Sequence, residues 1–234
     1  MKLLENSNLE ALSSRISISA IDCILDLKVE AYSCKMIQSD KKQWKNVDNS
    51  IPADRQPLSP PDDFLSLSAS PIGHSARMRH LSEPSCSSSD NDGEDILVDS
   101  ISMRTLFDLR GVLSSAYSDY DFSEVKSSSF SLIPCLEDVC DAVDPRFSAT
   151  VHDYPNIKDD LWGAVETEIE PSSCKIYGYK SEFNGDPFSE DGCMWGFSFI
   201  FFNKNLKRVL LISCRCLSQN AHNTSSELWD LDED

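Results

Sequence analysis

The composition of this sequence changes abruptly between residues 46 and 98. This stretch holds six of the eleven prolines, a serine-rich run at 85–89 and an acidic run at 90–95. Such a segment has too little apolar surface to offset the conformational entropy that ordering costs. The sequence therefore predicts a disordered Ser/Pro/acidic loop at 46–98, which separates two foldable blocks, residues 1–45 and 99–219.

The overall charge limits which partners the chain can have. Its 234 residues carry 39 Asp and Glu against 21 Lys and Arg, a formal net charge of −18, and residues 220–234 are expected to be an acidic disordered tail. Direct nucleic-acid binding is not expected, because affinity for phosphate backbones comes from Lys and Arg. No apolar run reaches the ~20 residues of a membrane span, and the N-terminus turns polar too early for a signal peptide. These features favour a soluble intracellular protein that makes no contact with membranes.

Sequence motifs for catalysis, metals and cofactors are absent. The nine cysteines are irregularly spaced, without a C-x-x-C pair, and the four histidines are scattered, so neither a disulfide framework nor a metal site is expected. No glycine-rich phosphate loop or nucleophile elbow occurs. The expectation is a protein with no catalytic residues, no metal and no cofactor.

The first block predicts a short helix and a β-hairpin. Ser7 and Glu10 form a capping-box pattern that starts a helix. Apolar and polar residues then alternate at 16–20 and again at 25–31, with a turn at Asp22 between them. Alternation of this kind is typical of half-buried strands. Two strands and one helix cannot form a stable unit alone, so this block should complete the sheet of the second block.

The second block predicts three helices followed by three strands. The helices begin after Asp99 or Ser100, at Leu136 and near Asn156, and prolines end the last two at Pro145 and Pro171. The strands are expected at 174–180, 195–201 and 209–214. The fold class is therefore α/β (α+β), with a mainly antiparallel five-stranded sheet covered by three or four helices. The loop at 46–98 leaves this single domain and returns to it.

Three surface features allow different functions. The acids Glu190 and Asp191 are the only basis for an enzyme. Alternate aromatic residues at 195–201 could line the pocket of a small-molecule sensor, although core packing is the default. The acidic stretch 137–170 is either a solvated face or a docking surface for a basic partner.

The loop carries patterns that protein kinases recognise. Ser59 and Ser70 each precede a proline, and Ser82 follows arginines at 77 and 79. These three serines are the phosphorylation candidates. Together with His80, the two arginines form a basic island that a nuclear partner or an import factor could bind.

Three groups of residues resemble the signature boxes of one eukaryotic family. The first box is matched at 1–6 and 30–36, and the second at 104–107 and 119–123. The third runs from Asp186 to Gly192 and then through parts of 195–215. In these residues the chain resembles the Maf-one family, the repressors of RNA polymerase III transcription, as a divergent, plant-like member. Leu58-Ser59-Pro60-Pro61 also resembles a phosphorylated position of animal members.

The resemblance implies a non-enzymatic protein that binds the clamp of the largest subunit of RNA polymerase III. It further implies that binding hinders assembly of the polymerase with the initiation factor TFIIIB, whose Brf subunit is a second partner. Regulatory kinases and phosphatases, nutrient signalling and shuttling between nucleus and cytoplasm follow from the same resemblance. The candidate partner-binding residues are those of the third box: Asp186, Pro187, Phe188, Glu190, Asp191, Gly192, Lys204, Lys207 and Arg208.

Overall fold

The secondary structure consists of five helices and eight strands within the described part of the chain. The computed structural model describes residues 1–36, 38–48, 55–61, 99–181 and 185–219. The helices are α1 (Ser7–Ile18), α2 (Gln38–Asp48), α3 (Met103–Ala116), α4 (Leu136–Thr150) and α5 (Pro155–Ile169). The strands are β1 (Lys2–Leu4), β2 (Cys23–Ser33), β3 (Arg55–Pro57), β4 (Ser100–Ser102), β5 (Phe130–Ile133), β6 (Lys175–Tyr179), β7 (Cys193–Asn203) and β8 (Arg208–Ser218). Single 3-10 turns lie at Ser127–Ser129 and Pro171–Ser173.

Six of these strands form one sheet in the order β1-β2-β8-β7-β6-β5, and every neighbouring pair is antiparallel. β3 and β4 form a separate antiparallel ribbon. β2 pairs with β8 without interruption from Cys23↔Ser218 to Ser33↔Arg208. The N-terminal part of the chain therefore contributes an inner strand of the sheet, which cannot be removed without exposing β8.

Helices cover both faces of the sheet. α1, α4 and α5 pack on the face that holds the aromatic side chains of β7, and Phe199 and Phe201 there are fully buried. α3 packs on the opposite face, against Ile200 of β7 and Leu211 of β8. This alternation of buried residues along β7 and β8 is what an inner strand between two helical layers requires. The predicted α/β class and the mainly antiparallel sheet are confirmed.

The sheet has six strands rather than five, because one predicted strand is wrong and two short ones were missed. Residues 16–18 continue α1, in which Ile16 is fully buried on the same side as Leu9 and Leu12. The apolar residues around Ile16 and Ile18 fit both the two-residue period of a strand and the period of about 3.6 residues of a helix. In a strand the two side chains would share one face, but Ile16 is fully buried and Ile18 is 84% exposed. The helix is capped by Asn6, whose side chain accepts from the backbone of Asn8 and Leu9, and not by Ser7.

The prediction that Pro145 ends its helix is also wrong, because α4 continues to Thr150. A proline inside a helix costs ~3 kcal/mol through the lost hydrogen bond and the clash of its ring. Two residues later, Phe147 is fully buried, 5.4 Å from the ring of Tyr154 and 5.7 Å from that of Phe197. Burying such a ring contributes about 1.5–3 kcal/mol, and Val143 is buried on the same side of the helix.

Part of the segment that was predicted to be a disordered loop has regular structure. α2 extends to Asp48, and β3 occupies Arg55–Pro57. α2 was missed because it is polar apart from Trp44 and Val47, so it shows no apolar period. α3 begins at Met103 with Ser102 as its cap, because residues 100–102 form β4 instead of the start of the helix. Residues 49–54, 62–98 and 220–234 lie outside the described residues, so for them the loop and tail remain predictions.

Candidate partner-binding surface

Residues 185–192, the acidic turn, lead into β7 through two glycines in left-handed backbone conformations. Gly185 has φ +104 and Gly192 has φ +86, values that residues with a Cβ rarely adopt. Between them, the Asp186 carboxylate accepts from the backbone N of Phe188 at 2.7 Å, which is an Asx turn. The backbone carbonyl of Gly192 accepts from the N of Ser218 at 2.9 Å and so attaches the turn to the end of β8.

Asp186, one of the candidate partner-binding residues, is fully buried. Its carboxylate also accepts a hydrogen bond from the hydroxyl of Tyr179 at the end of β6. Burial raises the pKa of Asp186 above its ordinary value, although the hydrogen bonds from Tyr179 and Phe188 work in the opposite direction. The side chain therefore holds the turn together from the inside and is not presented to a partner.

Phe188 anchors the acidic turn on the sheet by packing against two tyrosines. Its ring centroid lies 5.6 Å from that of Tyr117 and 6.1 Å from that of Tyr179. The ring also lies over Gly196 of β7, where an added Cβ would come within 2.6 Å of the Phe188 ring and 3.2 Å of the Cys214 carbonyl oxygen. Gly196 is therefore required here for close approach rather than for its backbone conformation.

Arg215 of β8 joins the acidic turn to two other parts of the chain. Its guanidinium lies 2.8 Å from the Asp26 carboxylate on β2 and 2.7 Å from the Glu190 carboxylate in the turn. It also donates to the Pro187 carbonyl at 3.2 Å. Tyr120, from the segment after α3, donates its hydroxyl to Glu190. Burial opposes the charge of Arg215, but the hydrogen bond to Asp26 and the nearby Glu190 raise its pKa above the ordinary value.

This geometry separates two kinds of acid in the turn. Asp186 and Glu190 are held by hydrogen bonds that fix the backbone, whereas Asp191 is exposed. A carboxylate held by an arginine and a tyrosine is suited to positioning the turn. The arrangement therefore presents a turn whose backbone is held by several contacts and which carries negative charge at its edge.

The basic residues of the third box lie at the other end of the same hairpin. Lys204 and Lys207 are exposed in the turn between β7 and β8, where Asn203 accepts from two backbone N–H groups. Arg208 pairs with Glu168 of α5 at 2.9 Å. β7 has 11 residues, and at ~3.4 Å per residue its ends lie roughly 34 Å apart. The nine candidate residues therefore lie in two separate places instead of one, and two of them, Asp186 and Pro187, are buried.

The residues that sequence analysis missed are Asp26 and the tyrosines that receive the turn. Asp26 is an ordinary polar position of an alternating strand, and its pairing with Arg215 becomes visible only when β2 and β8 are aligned. Tyr120 belongs to the second box, so its place in this network could have been suspected from that motif. The first and second boxes meet elsewhere, because Arg104 of the second box donates to the sulfur of Met36 in the first box at 2.8 Å. The same arginine pairs with Asp108 at 3.1 Å.

Of the three phosphorylation candidates, only Ser59 lies within the described residues. Its side chain is half-buried, its hydroxyl donates to the carbonyl of Ser128, and its backbone N donates to the carbonyl of Phe130 at 2.9 Å. Ser70 and Ser82, together with the basic island around them, lie outside the described residues. Their modification remains a prediction.

The aromatic side chains of β7 are mostly part of the core, although Phe197 and Phe199 also form the wall of a small cavity of about 190 Å³ beside Arg146. A larger cavity of about 540 Å³ lies between α3 and residues 34–36, with Phe107, Asp108 and Gly111 in its wall. Either cavity is available to the small-molecule alternative, which remains a prediction. In the described ranges, no three His, Cys, Asp or Glu side chains converge as metal ligands, and none of the helices is long and apolar enough to cross a membrane.

The substitution Asp186→Asn tests whether the pKa of the buried carboxyl is raised in the folded protein. Because the pKa of Asp186 is raised in the folded protein, the folded state binds the proton more tightly than the unfolded state. The stability that this carboxyl contributes to the protein therefore falls as pH rises from about 4 through the raised pKa. Asp186→Asn lacks this dependence. The melting temperature of the wild type minus that of the variant should therefore fall between pH 4 and pH 7. Tyr179→Phe keeps the carboxyl and should keep the dependence, and a pH-independent difference for Asp186→Asn would contradict this assignment.

The chain matches known proteins over most of its length. Residues 25–213 match the family model described as Maf1 regulator. The repressor of RNA polymerase III transcription maf1 of Schizosaccharomyces pombe is 30% identical over 223 residues, which cover 94% of this chain and 84% of that protein. The repressor of RNA polymerase III transcription of Dictyostelium discoideum is 29% identical over an alignment of 261 positions, which covers 94% of this chain and 86% of that protein.

A solved structure agrees with the fold. The crystal structure of citrus MAF1 superposes with a TM-score of 0.56 at 22% sequence identity and covers 91% of this chain and 99% of the citrus chain. At this identity the likeness concerns the fold alone, whereas the family model spans the acidic turn, Asp26 and Tyr120. With both the family model and the S. pombe relative covering most of its residues, the chain belongs to the Maf1 regulator family.

Proposed function

We propose that this protein represses RNA polymerase III transcription by binding the polymerase, without catalysing a reaction. Two relatives that match most of the chain are named as repressors of that transcription, which supports the same role here. Binding would involve the clamp of the largest subunit and would hinder assembly with TFIIIB through the polymerase or the Brf subunit. The observation that carries the proposal is the rigid acidic turn, which residues of two family boxes and of β2 hold together.

The structure supports a contact made by a preformed surface. Arg215, Phe188 and buried Asp186 fix the backbone of the acidic turn before any partner arrives, so little conformational entropy is lost on binding. Exposed Asp191 places negative charge at its edge. Such a charge favours a basic partner surface and accelerates encounter with it.

The basic turn at Lys204 and Lys207 contacts a second surface in this proposal. It lies at the opposite end of β7, too far away to share one small binding site with the acidic turn. A partner as large as a polymerase, or a polymerase together with an initiation factor, can reach both ends at once. Opposite charges at the two ends also fix the orientation in which the repressor docks.

Phosphorylation of Ser59, Ser70 and Ser82 by nutrient-linked kinases, reversed by phosphatases, controls this activity in the proposal. Each phosphate adds ~1.5 to 2 negative charges at pH 7. Against a net charge of −18, this changes the overall charge little, so the effect must be local. The unmodified protein would be nuclear and bound to the polymerase, and the modified protein would be cytoplasmic or free.

A pull-down from nuclear extract tests the proposed contact. The full chain is immobilised, and the amount of RNA polymerase III that it retains is measured by mass spectrometry of the polymerase subunits. Asp191→Lys should reduce the retained polymerase about tenfold, because it reverses a charge at the edge of the interface. The paired change Lys204→Glu with Lys207→Glu should also weaken binding.

Glu10→Lys on α1 is the matched control, since it makes the same charge change at an exposed position on the opposite face of the sheet and outside the acidic stretch 137–170. It should retain as much polymerase as the wild type. Loss of binding only with the lysine pair would place the contact at the basic turn. Undiminished binding of all variants would show that neither turn is the docking surface, and failure of the wild type to retain polymerase would refute the proposed function.

A further inference from the structure

The edge of the large sheet at β5 is covered by a short segment of this same chain. β5 is the last strand in the sheet order, and an uncovered edge strand presents unpaired backbone groups to other chains. Residues 55–61, here called the strap, cross this edge. The strap begins as β3, paired with β4, and then forms a parallel bridge between Ser59 and Ser131 of β5.

The strap is attached at a small number of points. The backbone N of Ser59 donates to the Phe130 carbonyl at 2.9 Å, and the Ser131 hydroxyl donates to the Pro60 carbonyl at 3.2 Å. Leu58 is 5% exposed among the residues beneath α3, and its N donates to the Asp99 carbonyl at 2.8 Å. These contacts hold the strap in register at a single residue of β5.

The sequence of the strap prevents a stronger attachment. Pro57, Pro60 and Pro61 have no backbone N–H, so they cannot donate to a strand ladder. The pairing with β5 therefore cannot extend beyond the bridge at Ser59. A segment held in this way opens more easily than the strands of the main sheet, because local opening requires the loss of only a few contacts.

The Ser59 hydroxyl is used in the attachment itself. It donates its proton to the Ser128 carbonyl, and the side chain is half-buried against the turn that precedes β5. A protein kinase needs this same proton to be accepted by its catalytic aspartate while the oxygen attacks the phosphorus. With the strap in place, the hydroxyl is committed to another acceptor and the backbone on both sides of it lies against the sheet.

We propose that the strap is a gate on its own modification site: Ser59 is phosphorylated only when residues 55–61 leave the edge of β5, and the phosphate then keeps them from returning. The inference rests on the proposed control by phosphorylation. In the transfer step the Ser59 Oγ–P bond forms and the bond from the γ-phosphorus of a nucleoside triphosphate to its bridging oxygen breaks. The hydroxyl proton passes to the kinase base, and the nucleoside diphosphate leaves.

The phosphate disfavours the closed position for two reasons. Its ester oxygen has no proton, so the hydrogen bond to the Ser128 carbonyl is lost. Its negative charge would lie beside the carbonyl oxygens of Ser128 and Phe130, which repel it. The basic side chains nearest in sequence are Lys126 before this turn and Arg55 in the strap, both exposed, and the strap is followed in sequence by the acids Asp62 and Asp63. If the phosphate formed a salt bridge with Lys126, it would hold the strap on the edge of β5, which is the opposite of what we predict.

A disulfide across the ribbon can hold the gate shut. Pro57 and Ser100 are directly opposite each other in β3 and β4, a separation that a disulfide can bridge. The full chain carrying Pro57→Cys and Ser100→Cys is treated with a proline-directed kinase and ATP, oxidised or reduced, after peptide mapping confirms the link. Phosphorylation at Ser59 should be at least tenfold slower in the oxidised chain, and phosphorylation at Ser70 should be equal in both forms.

Equal rates at Ser59 in the oxidised and reduced chains would overturn the gate. Phosphorylation of the reduced chain at Ser70 but not at Ser59 would also overturn the proposal. Release of the strap would then not be enough to expose Ser59 to the kinase. Neither outcome affects the repressor function, which the polymerase pull-down tests separately.

The second half of the proposal is tested by tryptic cleavage after Arg55, normalised to cleavage after Arg77 in the same chain. Ser59→Glu and the chain phosphorylated at Ser59 should be cleaved at least tenfold faster than the wild type, and the oxidised link should suppress this cleavage. Ser70→Glu, the matched control outside the strap, should behave as the wild type. Cleavage of the phosphorylated chain that is unchanged or slower than that of the wild type would show that the phosphate does not open the strap.

Discussion

Removal of residues 1–36 is expected to leave an insoluble protein that does not unfold cooperatively. These residues supply β1, α1 and the inner strand β2, which is paired with β8 at eleven positions. Without them β8 becomes a long apolar edge, and the core beneath α1 is exposed, which are the conditions for aggregation. Size-exclusion chromatography and thermal unfolding of the remainder measure the effect.

The matched control deletes a similar number of residues elsewhere. Replacement of 62–98 by a short Gly-Ser linker keeps every described strand, and shortening a loop changes its closure entropy by only about 0.6 kcal/mol per twofold change in length. This variant should remain monodisperse and melt close to the wild-type temperature. A soluble 99–219 fragment with a sharp unfolding transition would contradict the assignment of β2 as an inner strand that the fold requires.

Arg215→Ala is expected to cause the second-largest loss. It leaves Asp26, whose side chain is 29% exposed, without its closest cation and releases Glu190 and the Pro187 carbonyl. Removing one partner of a buried pair costs ~3–5 kcal/mol, and the partial exposure of both carboxylates reduces this to about 2 kcal/mol. The melting temperature should fall by roughly 4–8 °C for a domain of this size, and polymerase binding should fall with it because the acidic turn loses its attachment.

A comparison of two arginines on β8 separates this effect from the loss of any surface charge. Arg208 is 44% exposed and pairs with Glu168 at the rim, so Arg208→Ala should cost no more than ~1 kcal/mol. A double-mutant cycle should then show stronger coupling of Arg215 to Asp26 than to the more exposed Glu190. Equal and small effects of the two arginine substitutions would mean that the network does not hold the acidic turn.

The elements with a clear single period could be predicted from the sequence. α5, β6 and the hairpin of β7 and β8 lie within a few residues of their predicted positions, because alternation or a helical period, with proline at the ends, leaves one solution. The family boxes were also readable, because they consist of uncommon residues in a fixed order. The matched family model confirms that assignment.

Other elements depended on contacts between distant residues. Ile16 and Ile18 fit either a strand or a helix, and the core that receives Ile16 decided for the helix. α4 continues through Pro145 because Phe147 is buried beyond it. α2 has no apolar period of its own, and it is joined to α3 by Trp44, whose ring lies 5.3 Å from that of Phe107. In each case tertiary packing outweighed a local preference.

For the candidate site, the sequence motif identifies the residues involved, whereas the role of each follows from contacts between distant parts of the chain. An acid in a turn looks exposed in the sequence, yet Asp186 is buried because Tyr179 of β6 and the Asx turn enclose it. The nine residues of one motif lie at the two ends of a hairpin, because β7, with 11 residues, separates them by roughly 34 Å. Asp26, 189 residues from Arg215, entered the site because β2 lies beside β8, and pairing between strands so far apart in sequence leaves no local pattern to read.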